Sequence, residues 1–236
     1  MSIEGKSWIC TTIDTAGGKR GSEVAILATL EGVADREKLW QPGTALRVRF
    51  LQGEAALHER VIAAARAWLA PGVKLDIAEA QPGEKAHLRI AFNENSGSWS
   101  AVGTDSLLYP PAQPSMNLGW ARLDTPEQDF SSVVIHEFGH ALGLLHEHNH
   151  PAARIRWNKA AVNADLSGAP NHWDQETIDF NVFAAFDKSK VITTDFDAAS
   201  VMIYTIPAHW TLDGTVFMPS WKLSAGDAET IRLLYS

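Results

Sequence analysis

Residues 136–147 read HEFGHALGLLHE, and three of them, His136, His140 and His146, carry imidazoles. Residues four apart on a helix stack on one face, so a helix here lets His136 and His140 present nitrogens to one ion about 2.0–2.1 Å away. Glu137 is turned by about 100° from His136 around the 3.6-residue helix. That leaves it beside such an ion, where a carboxylate can take a proton from metal-bound water. Gly143 lies three residues past His140, where helices commonly end in the left-handed conformation that glycine adopts without penalty. Beyond that turn His146 can approach the same ion from below. Three neutral nitrogens and one open position for water mark a catalytic zinc site. A bare His-Glu-x-x-His recurs by accident, but Gly143 and His146 at fixed spacing make accident a poor explanation. His148 and His150 fall outside the spacing and are read as solvated or structural. His58, His87, His172 and His209 need no metal role.

Composition narrows the alternatives. The chain has 236 residues, 45% hydrophobic and 20% charged, enough for one sizeable core or two small lobes sharing a cleft. Its single cysteine, Cys10, excludes an intramolecular disulfide, Cys-rich zinc fingers and Cys-ligated iron–sulfur clusters. Any metal must therefore rest on histidines and carboxylates. Lysine plus arginine total 20 against 28 aspartate plus glutamate, a formal charge of -8, so no nucleic-acid partner is expected. No stretch approaches the ~20 apolar residues of a membrane span, so no membrane partner is expected either. Residues 1–23 are polar and Gly-rich, and the apolar run at 24–30 is short and ends at Glu31, which makes a poor signal peptide.

Periodicity places the other elements. Leu46, Val48 and Phe50 alternate with Arg47 and Arg49 as in a half-buried strand. Leu57, Val61, Ala65, Trp68 and Leu69 recur at helical spacing until Pro71-Gly72. Strands are predicted around Val73, Leu75 and Ile77 and around Leu88, Ile90 and Phe92, giving a mixed sheet backed by a helix. A short edge strand is predicted at 99–102 and another strand at 117–123. The histidine helix is predicted over 131–142. Residues 151–200 show little periodicity and read as a loop-rich lobe with one helix. Ser224 and Asp227 form a capping-box variant ahead of a closing helix with Ala228, Ile231, Leu234 and Tyr235 as its apolar stripe.

With these motifs assembled, the chain resembles the metzincin clan of zinc endopeptidases and, within it, the astacin family. Glu147-His148 directly after the third histidine matches the family's His-Glu-His extension, and Ser200-Val201-Met202-Ile203-Tyr204 is similar to its Met-turn. Leu39-Trp40-Gln41-Pro42-Gly43 resembles the opening of the catalytic domain, and Gly97-Ser98-Trp99-Ser100-Ala101-Val102-Gly103 its upper edge strand. Leu223-Ser224-Ala225-Gly226-Asp227 with Leu233-Leu234-Tyr235 resembles its closing helix.

The resemblance implies an α+β fold. It would be a two-lobed domain with a mixed twisted sheet, a backing helix and an active-site helix above a loop-rich lower lobe that ends in a C-terminal helix. The catalytic domain would span 39–236, with its upper lobe at about 39–143 and its lower lobe at about 144–236. It implies a zinc-dependent endopeptidase with one catalytic Zn²⁺, held by His136, His140 and His146, and Glu137 as general base. Tyr204 would be a movable fifth ligand that hydrogen-bonds the developing oxyanion, Met202 an apolar floor beneath the imidazoles, and Glu147 the partner of the mature N-terminus. Trp99, Ser100, Ala101 and Val102 would receive an extended peptide as an antiparallel strand. Residues 1–38 form an N-terminal extension, a candidate prosegment, in which Cys10 could fill the open zinc position in a latent state; Asp14 is a weaker candidate.

The absence of the disulfides typical of the family's secreted members fits a divergent, bacterial-type member. A monomer acting on protein or peptide outside the producing cell is expected. Two alternatives stay open: a protease delivered into another cell as a toxin or effector, and a zinc-holding module that binds peptide without cleaving it.

Overall fold

A computed structural model describes residues 34–70, 72–169, 171–185, 191–192 and 195–236. Cys10, Asp14, the apolar run at 24–30, Pro71 and most of the N-terminal extension lie outside the described residues.

The first strand, β1 (Ala34–Asp35), pairs antiparallel with β7 (Val191–Ile192), and Ala34 also bridges to Leu144. The main sheet contains β2 (Ala45–Phe50), β3 (Asp76–Glu79), β4 (Leu88–Ala91), β5 (Ser98–Ser100) and β6 (Met116–Leu118) in the order β3-β2-β4-β6-β5. Only the outer strand β5 runs antiparallel to its neighbour. The register aligns Leu46 with Ile77, Val48 with Leu88 and Ile90 with Met116, so one face of the sheet is a continuous buried apolar layer. The opposite face is not open over β4. Arg89 is buried there, its Nε donating to Gln113 O at 2.9 Å, beneath the loop that follows β5.

Helix α1 (Ala55–Ala65) covers the apolar layer with Leu57, Val61, Ile62 and Ala65. Trp68, just beyond it, donates its indole N–H to Ile135 O at 2.9 Å and ties α1 to α2 (Glu127–Ala141). α2 begins four residues before the predicted start. Its first turn is polar, so hydrophobic spacing gives no sign of it, but Pro126, Glu127 and Asp129 suit a helix N-terminus.

The two short strands also differ from prediction. β5 occupies 98–100, because Gly103 (φ +51°) opens a 3₁₀ turn over Gly103–Leu108. β6 ends at Leu118, because Asn117 side-chain bonds to Asn93 N and O at 2.9 Å draw the next residues into a turn. There Gly119 packs so closely on Gly97 O that a Cβ would lie 2.3 Å from it. The third strand starts at Asp76, later than its apolar pattern implies.

Among the described residues of 151–200 there are two α-helices where one is predicted. These are α3 (Lys159–Ser167) and α4 (Gln175–Ile178), the second running into a π turn over Asp179–Phe183. Asn158 and Asp174 cap them through side-chain oxygens. Their apolar residues Val162, Leu166, Ile178 and Val182 pack with Tyr204, Ile206 and Trp210 in a second, smaller core. The closing helix α5 (Ala225–Tyr235) follows this lobe in sequence, yet Ile231, Leu234 and Tyr235 enter the larger core, and Tyr235 Oη donates to Leu142 O at 2.7 Å. Its capping box is formed as predicted. No helix among the described residues is long and apolar enough to cross a membrane.

Candidate metal centre

The C-terminal end of α2 builds the site. His136 and His140 sit one turn apart with Nε2 atoms 3.1 Å from each other. The helix then closes in a Schellman motif: Gly143 N donates to His140 O at 2.8 Å and Leu144 N to Gly139 O at 2.9 Å, with Gly143 at φ +90°. A Cβ at Gly143 would also meet Leu39 Cδ2 at 2.8 Å. This reversal returns the chain so that His146 Nε2 lies 3.1 Å from His140 Nε2.

The outward nitrogens fix the tautomers. His136 Nδ1 donates to Val201 O and His140 Nδ1 to Leu144 O, each at 2.8 Å, and a carbonyl can only accept. Both Nε2 atoms are therefore unprotonated, and two bare lone pairs face each other at 3.1 Å. That arrangement is repulsive unless a cation lies between them. Tetrahedral zinc bonds of about 2.0–2.1 Å would separate the nitrogens by roughly 3.3–3.4 Å, so the donor set fits such an ion. Burial keeps the rings neutral, as ligands must be: it pushes His136 down to about 4, and His140 and His146 well below the ordinary range.

The other sequence-predicted residues surround this centre. Glu137 is 1% exposed and lines, with His136 and Tyr204, an open cavity of ≈ 370 Å³. The Tyr204 ring packs on His146 and His148, each with its centroid 4.2 Å away. Met202 lies under α2, its sulfur so close to Gly139 that a Cβ there would be 2.3 Å away. Met202 belongs to the larger core and Tyr204 to the smaller one, so the turn between them joins the two lobes.

Glu147 is buried and its Oε1 accepts from Asp197 N at 2.8 Å. Burial first, then the nearby Asp227 and Asp197, pushes its carboxyl up to about 8. His148 and His150 are both buried, which leaves the structural half of their reading. In the candidate peptide platform Trp99 is half-buried, while Ser100, Ala101 and Val102 are buried, so what this stretch offers a peptide is mainly the backbone of the outer strand.

Sequence reasoning missed two groups. Trp120, Ser132, Val133, Ile203, Thr205 and Pro219 line the cavity, and nothing in their spacing signals it. Asp227, read only as half of a capping box, also accepts from Ser200 Oγ at 2.6 Å and Val201 N at 3.0 Å. The Ser-x-x-Asp spacing locates that carboxylate at a helix start but not its second set of partners.

Comparison with known proteins places this geometry. A sequence model of the Astacin peptidase family matches residues 33–236. Two structures of myroilysin are similar. One has a TM-score of 0.81 and 32% identity over 86% of this chain and 98% of the other. The second has a TM-score of 0.69 and 28% identity over 100% and 93%. High choriolytic enzyme 1, a hatching enzyme zinc-protease from the medaka fish Oryzias latipes, shares the fold at a TM-score of 0.57 and 17% identity over 84% and 94%. No curated protein sequence matches. A family match that runs from the first buried strand to the last residue, over a fold carrying this trio of imidazoles, makes the chain a member of the astacin family of zinc endopeptidases.

Proposed function

We propose that the chain hydrolyses internal peptide bonds with one zinc ion held by His136, His140 and His146, and with Glu137 as general base. The observation that carries this reading is the convergence of three buried imidazoles with the Nδ1 protons of two of them committed to carbonyls, so that unprotonated nitrogens face one point. Zinc, when bound, lowers the pKa of its water from 15.7 to about 7 and polarises the scissile carbonyl.

The protein's own residues do the rest. Glu137, buried in the cavity beside His136, takes the water proton during attack and passes it to the departing amine. Tyr204, in the lining of the same cavity, donates a hydrogen bond from its phenolic O–H to the developing oxyanion. Met202 supports the helix that carries the ligands, in the manner of a Met-turn. The outer strand β5 aligns an extended substrate antiparallel to itself through its backbone, with Trp99 as its partly exposed flank.

The catalytic domain in this reading is 39–236, preceded by an extension in which Cys10 occupies the open zinc position until it is removed. The work is done outside the producing cell on protein or peptide, by a monomer. Of these points, family membership supports the protein or peptide substrate.

Casein digestion tests the reading. Cleavage should stop with 1,10-phenanthroline and return on addition of zinc; cleavage indifferent to the chelator rules out the metal mechanism. For the extension, Cys10→Ala should raise the activity of the full-length chain. An unchanged rate removes the thiol latch while leaving the zinc reading intact.

A further inference from the structure

His148 lies two residues beyond the third imidazole, outside the ligand spacing, and is 3% exposed. Its ring stacks on Tyr204, with centroids 4.2 Å apart and planes at 29°, and on His146 at 5.3 Å and 28°. Trp157 closes a further side, edge-on at 6.1 Å. Of its two nitrogens, Nε2 lies 2.9 Å from Asn181 O, and because a carbonyl only accepts, Nε2 carries the proton. Nδ1 is buried without a hydrogen-bond partner among the described residues. The ring's orientation therefore rests on one polar tether and on its faces.

That tether belongs to an unusual backbone. Asn181 sits in the π turn over Asp179–Phe183, closed by Ala184 N donating to Asp179 O at 2.9 Å. π turns are rare and recur at functional sites. The neighbouring Asn149 adds to the same attachment: its Nδ2 donates to Ala184 O at 2.6 Å and Val182 O at 3.3 Å. The segment directly after the third imidazole is thus fastened through two side chains to the π turn of the lower lobe, and the ring at its centre lies flat against Tyr204.

We infer that His148 is a positioning residue: the π turn holds its ring, and its ring sets the place of the Tyr204 phenol relative to the metal centre. The inference rests on the catalytic role proposed above for Tyr204, but the position of the Tyr204 ring can be read without it. An oxyanion donor displaced by a fraction of an ångström loses much of its effect, so the consequence should appear in kcat rather than KM.

The chain has three tyrosines, Tyr109, Tyr204 and Tyr235, so ¹⁹F NMR of the full chain labelled with 3-fluorotyrosine gives three assignable signals. Two variants keep the bulk of residue 148: His148→Leu removes the ring, and His148→Phe keeps it without the tether. With Leu, the Tyr204 signal should move or broaden while those of Tyr109 and Tyr235 stay in place. kcat should fall about tenfold with KM within about twofold. With Phe, the signal should move less than with Leu and kcat should fall by about threefold, because ring stacking survives and the tether to the π turn does not. In a Tyr204→Phe background, His148→Leu should cost nothing further. An unmoved Tyr204 signal with Leu overturns the inference, as does an equal kcat loss in the Tyr204→Phe background or a Phe variant as slow as Leu. A fully active Tyr204→Phe overturns the catalytic role of Tyr204 instead, and the fluorine spectrum still decides whether His148 holds the ring.

Discussion

His136 Nδ1 donates to the carbonyl oxygen of Val201 at 2.8 Å, which sets the tautomer and the direction of the first imidazole in the cluster from a residue 65 positions away. Val201 is itself held. Its amide donates to Asp227 Oδ2 at 3.0 Å, and the same carboxylate accepts from Ser200 Oγ at 2.6 Å and from Ser224 N at 2.9 Å. The N-terminus of the last helix therefore orients an imidazole in the middle of the chain, by way of the turn that carries Met202. Groups that hold a ligand's second nitrogen tune metal affinity as well as geometry.

Asp227→Ala should accordingly do two things. It strands buried donors at the start of α5 and in the Met202 turn, costing about 2–3 kcal/mol, which for a chain of this size lowers Tm by about 5–10 °C. It also frees Val201 to move, which should weaken zinc binding about tenfold or more in a chelator competition. Reduced Tm with unaltered zinc affinity would separate the helix cap from the metal centre.

The metal-free protein should show a stability maximum set by groups of opposite sign. Burial holds His136 at about 4 and His148 at about 3, with His140 and His146 also depressed. In the unfolded chain these rings titrate near 6.5. Below that pH the unfolded state binds more protons, so stability falls as pH drops from about 6.5 to 4, by about 3 kcal/mol for His136 alone. Glu147 acts the other way. Its carboxyl is raised to about 8, so between about 4.5 and 8 the folded state keeps a proton the unfolded state has lost, and stability falls as pH rises. At pH 6.5 the four rings are still half protonated in the unfolded chain and together outweigh the one carboxyl, so the two slopes balance at about pH 7, above which Glu147 dominates. Tm of chelator-treated protein, scanned from pH 5 to 8, should peak at about pH 7. Glu147→Gln should flatten the alkaline side and leave the acid side in place. A Tm level between pH 7 and 5 would contradict the burial of neutral imidazoles.

Two glycines should resist substitution for different reasons. At Gly139 a methyl group would lie 2.3 Å from Met202 Sδ and 3.0 Å from Trp68 Cζ2, so Gly139→Ala overpacks the floor of the site at about 1–3 kcal/mol. At Gly143 the obstacle is a φ of +90°, which costs an alanine about 1–2 kcal/mol, with Leu39 in the way as well. Thermal melts of the two variants check this, and a Gly139→Ala protein as stable as the parent would mean that the sulfur does not press on α2.

Much of the site was legible because its chemistry is local. His136, His140, Gly143 and His146 owe their convergence to one helix and one turn, and both are written in twelve consecutive residues. The capping box of α5 is local in the same way. What escaped notice depends on contacts between distant segments. The second role of Asp227 is made with residues 26 and 27 positions away, and the cavity lining combines four separate stretches of chain. Strand ends failed where packing overrode pattern, as at β6, which stops where Gly119 meets Gly97. The first turn of α2 and the start of α4 are polar, and α3 buries just Val162 and Leu166, so apolar periodicity could not announce them.

The central claim is that Glu137 moves the proton in a reaction organised by the three imidazoles. Its most direct test is the initial rate of casein hydrolysis by Glu137→Gln, measured beside the parent at neutral pH with zinc content determined on both. The account predicts one zinc per chain in each and a rate lowered by about a thousandfold in the variant; a zinc-loaded variant that cleaves within about threefold of the parent would contradict it.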